Sequence, residues 1–137
     1  MTATLVDSNV LIDVATRDPE WFSWSSDELA AAADLGRVVL NQIVFAEVGA
    51  GYRDLSTLER ALAEVMLERV NLPWSAAHLA GQRHRDYRRA GGLRERTLPD
   101  FLVGAHAETA DLRLLTRDPR VYRRWFPAVA LISPAGL

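Results

Sequence analysis

Four carboxylates sit in settings that suit an acidic site. Asp7 ends the apolar run Thr4-Leu5-Val6, and Asp118 closely follows the run Leu112 to Thr116. Glu47 lies within Ile43-Val44-Phe45-Ala46-Glu47-Val48, and Asp100 follows Thr97-Leu98-Pro99 at the start of a helical pattern. In an open parallel sheet, ligands bind in the crevice beyond the carboxyl ends of the strands. Right-handed crossovers would bring all four acids to that edge. Two carboxylates roughly 4 Å apart repel by about 4 kcal/mol at an effective dielectric near ~20, so the edge needs raised pKa values or cations. The chain has no cysteine for thiolate ligation and no lysine as counter-ion, which leaves oxygen ligands and hard ions. Mg²⁺ is the expected cofactor, with Mn²⁺ as the alternative. Because Mg²⁺ favours one or two carboxylates plus phosphate oxygens, metal and nucleic acid would bind together.

Taken singly, each acid has an ordinary use. Asp7 can cap the helix that follows it, Asp100 can sit in a first turn favoured by the helix dipole, and Asp118 before Pro119 can make a turn. Glu47 can pair with an arginine from the second half. Four such coincidences at one sheet edge are a heavier demand than any one of them. Asp13, Asp18, Asp27 and Asp34 have no comparable setting and are expected to be solvated. His78, His84 and His106 lack the i, i+4 spacing of a helical metal pair and are expected at the surface or the core edge.

Charge is divided along the chain. Residues 1–68 hold 12 acidic residues against 4 arginines, whereas residues 69–137 hold 6 against 12. All 16 basic residues are arginine, which removes Schiff-base and lysine general-base chemistry. Arg83, Arg85, Arg88, Arg89, Arg94 and Arg96, with Tyr87 among them, offer phosphate forks and a stacking ring beside the stretch that delivers Asp100. Arg117 lies next to Asp118. A solvated helix face is the competing use of the same run. Gly91-Gly92 and Gly49-Ala50-Gly51 make no phosphate-binding loop. No apolar run approaches the ~20 residues of a membrane span, and no basic segment precedes a long apolar one, so a cytoplasmic location without membrane insertion is expected.

The elements that must position these residues alternate. Apolar runs at Thr4-Leu5-Val6, Val38-Val39-Leu40, Val70-Asn71-Leu72, Leu112 to Thr116 and Val129 to Ile132 read as strands. Helical patterns cover Val10 to Val14, Trp21 to Leu35, Gln42 to Tyr52, the stretch after Ser56, Ser75 to Ala90, the stretch from Thr97, and Arg120 to Trp125. Asn41 is the expected cap of the third helix, and Ser56-Thr57-Leu58-Glu59 reads as a capping box before an inner face of Leu58, Leu62, Val65 and Met66. Phe22, Leu29 and Ala33 are expected to share a core-facing stripe, with Trp21 and Trp24 beside it. The prediction is an α/β fold whose mainly parallel central sheet of four to five strands is flanked by helices, as one domain over residues 1–137.

With these residues assembled, the sequence resembles a known family. Leu5-Val6-Asp7-Ser8-Asn9-Val10-Leu11-Ile12, Phe45-Ala46-Glu47-Val48, Leu98-Pro99-Asp100-Phe101-Leu102-Val103-Gly104-Ala105-His106-Ala107 and Leu115-Thr116-Arg117-Asp118-Pro119 together are similar to PIN-domain ribonucleases of the VapC toxin type. Each motif alone is weak, while their order and spacing are specific and span nearly the whole chain. The resemblance implies a PIN-like fold in which Asp7, Glu47, Asp100 and Asp118 are catalytic and hold Mg²⁺ or Mn²⁺. Ser8, Asn9 and Thr116 match supporting polar positions. It further implies an endoribonuclease toxin leaving a 5′ phosphate and a 3′ hydroxyl, a homodimer, and a cognate VapB-type antitoxin as partner. Trp21, Phe22 and Trp24 are candidate contacts for that antitoxin. A phosphotransfer protein would need a lysine that this chain lacks, and an Asp-x-Ser-x-Ser adhesion turn fails at Asn9. A non-catalytic RNA-binding or scaffold protein with the same fold remains the alternative.

Overall fold

A computed structural model describes residues 2–92 and 97–136. Its strands form one wholly parallel sheet, with β1 at Thr4–Val6, β2 at Val38–Leu40, β3 at Glu68–Arg69, β4 at Arg113–Leu115 and β5 at Leu131–Ile132. The spatial order is β3-β2-β1-β4-β5. Flanking helices are α1 (Ser8–Thr16), α2 (Phe22–Leu35), α3 (Gln42–Gly49), α4 (Leu55–Ala63), α5 (Trp74–Arg89), α6 (Leu98–Thr109) and α7 (Arg120–Trp125).

From β1 the chain builds outward through β2 and β3, then returns to lay β4 and β5 on the other side. The reversal falls between β1 and β4, and it is there that open parallel sheets leave a crevice at their carboxyl edge. Val6 pairs with Leu115, and the Asp7 amide extends the ladder by donating to the Leu115 carbonyl at 2.9 Å. Asp7 and Thr116 are thereby brought side by side at the switch point. β1 and β2 are buried along their whole length, as continuous apolar runs in a parallel sheet require. Phe101 of α6, Tyr122 of α7 and Phe126 pack into the same core. Helix α6 comes close because it carries Gly104, where a Cβ would stand 2.5 Å from the Phe126 ring.

Several expectations are corrected in detail. The third strand is Glu68–Arg69 rather than Val70 to Leu72: it is an exposed edge strand, so backbone pairing with β2, not apolarity, defines it. Asp54, not Ser56, caps α4, accepting from the Thr57 amide and hydroxyl at 2.8 Å each. Leu58 is buried on α4, but Met66 lies beyond the helix and is 88% exposed. On α2 the buried line is Ser25, Leu29 and Ala32, because one residue of helical phase separates Ala32 from the exposed Ala33. Helix α3 ends at Gly49 rather than Tyr52, and Pro73 rather than Ser75 occupies the cap position of α5. Among the described residues, no helix is long and apolar enough to cross a membrane.

Candidate active site

Asp7 is the centre of the site. It sits in extended conformation at the end of β1 and caps α1, its Oδ1 accepting from the Ser8 amide at 2.8 Å. Its Oδ2 accepts from the Thr116 hydroxyl at 2.8 Å and the Tyr122 hydroxyl at 3.0 Å, with the Asn9 amide farther off at 3.5 Å. All of these donors are neutral. Burial pushes the Asp7 carboxyl above its ordinary pKa; the hydrogen bonds pull it back in part, and the charge of Asp118 adds to the rise.

Asp118 and Glu47 interact with its charge, and Asp100 interacts with that of Glu47. Glu47 accepts from the Ser8 hydroxyl at 3.1 Å, and half-burial followed by the charges of Asp7 and Asp100 raises its pKa. Asp100 stands in the first turn of α6, after the Thr97 cap and Pro99. The Asp118 amide donates to the Thr116 hydroxyl at 3.1 Å, and its carboxylate receives Arg120 Nε at 3.1 Å. Asn9 ties the two sides of the switch point, donating to Thr116 Oγ1 at 3.3 Å and accepting from the Arg117 amide at 3.0 Å. Ser8, Asn9 and Thr116 therefore all contact the acids or the loop that bears them.

The structure also holds three features that sequence reasoning missed. Tyr122 is 1% exposed with its hydroxyl on Asp7; burial and the nearby charges of Asp7 and Asp100 hold the phenol well above its ordinary pKa, so it is a donor. The sequence sign was weak: one tyrosine a helical turn beyond Asp118, in a basic helix. His106, expected at the surface or core edge, is 2% exposed and lies 3.0 Å from the Asn41 amide. Asn41 Oδ1 accepts from the Val44 amide, so Nδ2 faces the imidazole; burial lowers the His106 pKa, leaving Nδ1 neutral to accept. This bond links α3, which carries Glu47, to α6, which carries Asp100.

Asp13 is the third feature, and the expectation that it is solvated is wrong. It is 1% exposed, accepting from Ser25 Oγ at 2.8 Å and from Arg117 Nε and Nη2 at 2.8 and 2.9 Å. Arg117 also lies over the Trp21 ring, 5.5 Å from its centroid.

The arginines divide into two groups. Arg83 is half-buried and engaged within the protein, gripping Glu108 with two nitrogens at 3.2 and 3.0 Å and the Trp125 carbonyl at 2.6 Å. Arg117 is committed to Asp13. Arg85, Arg88 and Arg89 are exposed along the last turns of α5, and Arg85 makes a contact of 3.4 Å with Asp86. Arg94 and Arg96 lie outside the described residues.

A hard divalent cation fits the chemistry of this donor set: an aspartate held by neutral groups whose pKa is raised in part by Asp118, and a glutamate whose pKa is raised in part by Asp7 and Asp100. Among the described residues, no three His, Cys, Asp or Glu side chains are gathered closely enough to hold a metal ion by themselves. Mg²⁺, which keeps several waters and takes one or two carboxylates plus phosphate oxygens, suits such a looser arrangement.

Comparison with known proteins gives a consistent result. The profile of the PIN domain matches residues 4–126. The crystal structure of VapBC2 from Rickettsia felis, bound to a DNA fragment from the promoter, superposes with a TM-score of 0.77 at 17% identity, covering 97% of this chain and 99% of that chain. DNA-bound VapBC from Salmonella typhimurium gives 0.69 at 23% identity, with 97% and 98% covered. VapBC-1 from nontypeable Haemophilus influenzae gives 0.73 at 15% identity, with 96% and 98% covered. At these identities the likeness is one of fold. No curated protein matches the sequence significantly.

Proposed function

Because this chain belongs to the PIN-domain family, we propose that it is a Mg²⁺- or Mn²⁺-dependent endoribonuclease acting as the toxin of a VapBC-type pair. The observation that carries the reading is Asp7: a buried carboxylate at the switch point, hydrogen-bonded to neutral donors and facing the charges of Glu47 and Asp118.

In this reading Asp7, Glu47, Asp100 and Asp118 hold the cation. When bound, the ion supplies Lewis acidity, lowering the pKa of a water and offsetting the charge of the phosphodiester. The protein's own residues orient the ligands. Thr116 and Tyr122 fix one Asp7 oxygen, Ser8 holds Glu47, and the Asn41–His106 bond keeps the helices of Glu47 and Asp100 in step. Arg85, Arg88 and Arg89 draw the RNA backbone toward this edge by phosphate attraction.

The similar structures are VapBC complexes, which supports a VapB-type antitoxin as partner; a homodimer belongs to the same reading. Phe22 lines a cleft of about 280 Å³ with Leu11, Val48, Tyr52 and Leu62 and with the charged Arg17 and Glu64, which suits a partner segment that carries both apolar and charged side chains. Trp21 and Trp24 meet edge to face, their ring centroids 6.2 Å apart.

The test is cleavage of a pool of structured cellular RNAs by purified, antitoxin-free protein. Cuts that need Mg²⁺ or Mn²⁺, stop with EDTA and vanish in Asp7→Asn are expected. RNA binding without cleavage, unaffected by Asp100→Asn, would instead indicate a non-catalytic RNA-binding protein.

A further inference from the structure

The two oxygens of Asp7 are satisfied unequally. Oδ2 accepts two well-placed hydroxyls, Thr116 at 2.8 Å and Tyr122 at 3.0 Å, which fill both of its lone-pair directions. Oδ1 accepts the Ser8 amide at 2.8 Å, which leaves it one direction among the described residues. Tyr122 cannot easily turn away, because its ring is fully buried and packs 6.4 Å from the Phe126 ring, centroid to centroid. We infer that Tyr122 is a positioning residue: with Thr116 it saturates Asp7 Oδ2 and so presents Oδ1 as the single oxygen available to a divalent cation. This rests on the metal-dependent reading above and adds a residue and an atom to it.

The mechanism is one of orientation. A carboxylate with one face free can rotate and split its interaction between two oxygens, whereas one clamped through Oδ2 offers a fixed ligand. Partners that orient a metal-binding carboxylate are typically worth about 10- to 100-fold in affinity or activity. Tyr122 touches neither substrate nor metal in this account, so its loss acts through Asp7.

The experiment is a titration of metal-free protein with MnCl₂, counting free Mn²⁺ by its EPR signal, alongside thermal unfolding. Tyr122→Phe keeps the buried ring and removes only the hydroxyl. It is expected to weaken Mn²⁺ binding by about 10- to 100-fold while melting within a few degrees of wild type, and its RNA cleavage should recover as Mn²⁺ is raised. Leu58→Ala, which removes a buried side chain of α4 and takes no part in holding Asp7 or Tyr122, should melt lower yet bind Mn²⁺ like wild type. If Tyr122→Phe fails to fold, Thr116→Val removes the other hydroxyl from the same oxygen and must show the same loss of affinity. Equal Mn²⁺ affinity in wild type and the folded hydroxyl variant would overturn the role of Tyr122 and leave the nuclease reading standing. A wild-type protein that binds no Mn²⁺ would overturn both.

Discussion

Asp7 and Asp13 belong to the same short helix, one as its cap and one near its far end, and both are almost fully buried, at 6% and 1% exposed. Their surroundings differ in kind. Asp13 has a bidentate arginine and a serine hydroxyl, so its charge is neutralised within the protein. Asp7 has an amide and two hydroxyls, with the charge of Asp118 nearby rather than that of a cation. A buried carboxylate with its own cation ties segments together: here α1, α2 and the β4–α7 loop. A buried carboxylate held by neutral donors costs stability unless something else brings positive charge, and that is the mark of a site rather than of a strut.

Removing the charge of one or the other aspartate should therefore have opposite consequences. Asp7→Asn should reduce RNA cleavage by about a hundred-fold or more in initial-rate measurements. Its metal-free form should be at least as stable as wild type, since a buried charge with neutral partners has been removed. Asp13→Ala should do the reverse, destabilising the protein by about 3 kcal/mol in urea unfolding because it leaves Arg117 and Ser25 without their acceptor. Folded Asp13→Ala should still bind Mn²⁺. Ser25→Ala removes one hydrogen bond to the same carboxylate and should cost about 1.5–3 kcal/mol, with the lower end expected while Arg117 stays in place.

The smallest expected effect concerns pH. Asp7 and Glu47 are both raised above their ordinary values, so between those values and the raised ones the folded state holds more protons than the unfolded. Their contribution to metal-free stability is therefore fully present at low pH and is lost as pH rises through the raised values. His106 acts the other way: its pKa is lowered by burial, so stability falls as pH drops below its ordinary value of 6.5. The wild type minus Asp7→Asn difference, measured by urea unfolding across the acid range, isolates the Asp7 part and should move in favour of wild type as pH falls. A flat difference would remove the electrostatic distinction between the two aspartates.

What the sequence reveals follows the range of the interactions involved. The central strands are readable because a buried parallel strand is an apolar run, and Asn41 is readable as a cap because the amide that donates to it, that of Val44, is three residues away. Asp7 and Asp118 stand out in the sequence because each follows an apolar strand, and Asp100 because it lies in the first turn of a helix, whereas Glu47 is marked only by its apolar neighbours late in α3. Asp13 is not, since the partners that make its burial possible are Ser25 and Arg117, 12 and 104 residues away. Tyr122 is hidden for the same reason, reaching Asp7 across 115 positions. The edge strand Glu68–Arg69 carries no apolar signal because both of its side chains are exposed.

In the proposed function, the charge of Asp7 and its acidic neighbours is met by a divalent cation. Thermal unfolding at neutral pH, with EDTA and then with excess MnCl₂, tests it most directly, in wild type and in Asp7→Asn. Mn²⁺ should raise the wild-type melting temperature, by as much as about 2.7 kcal/mol of stabilisation at a hundred-fold excess over Kd, and Asp7→Asn should lose most of the rise. A wild-type melting temperature indifferent to Mn²⁺, or an equal rise in both proteins, would contradict it.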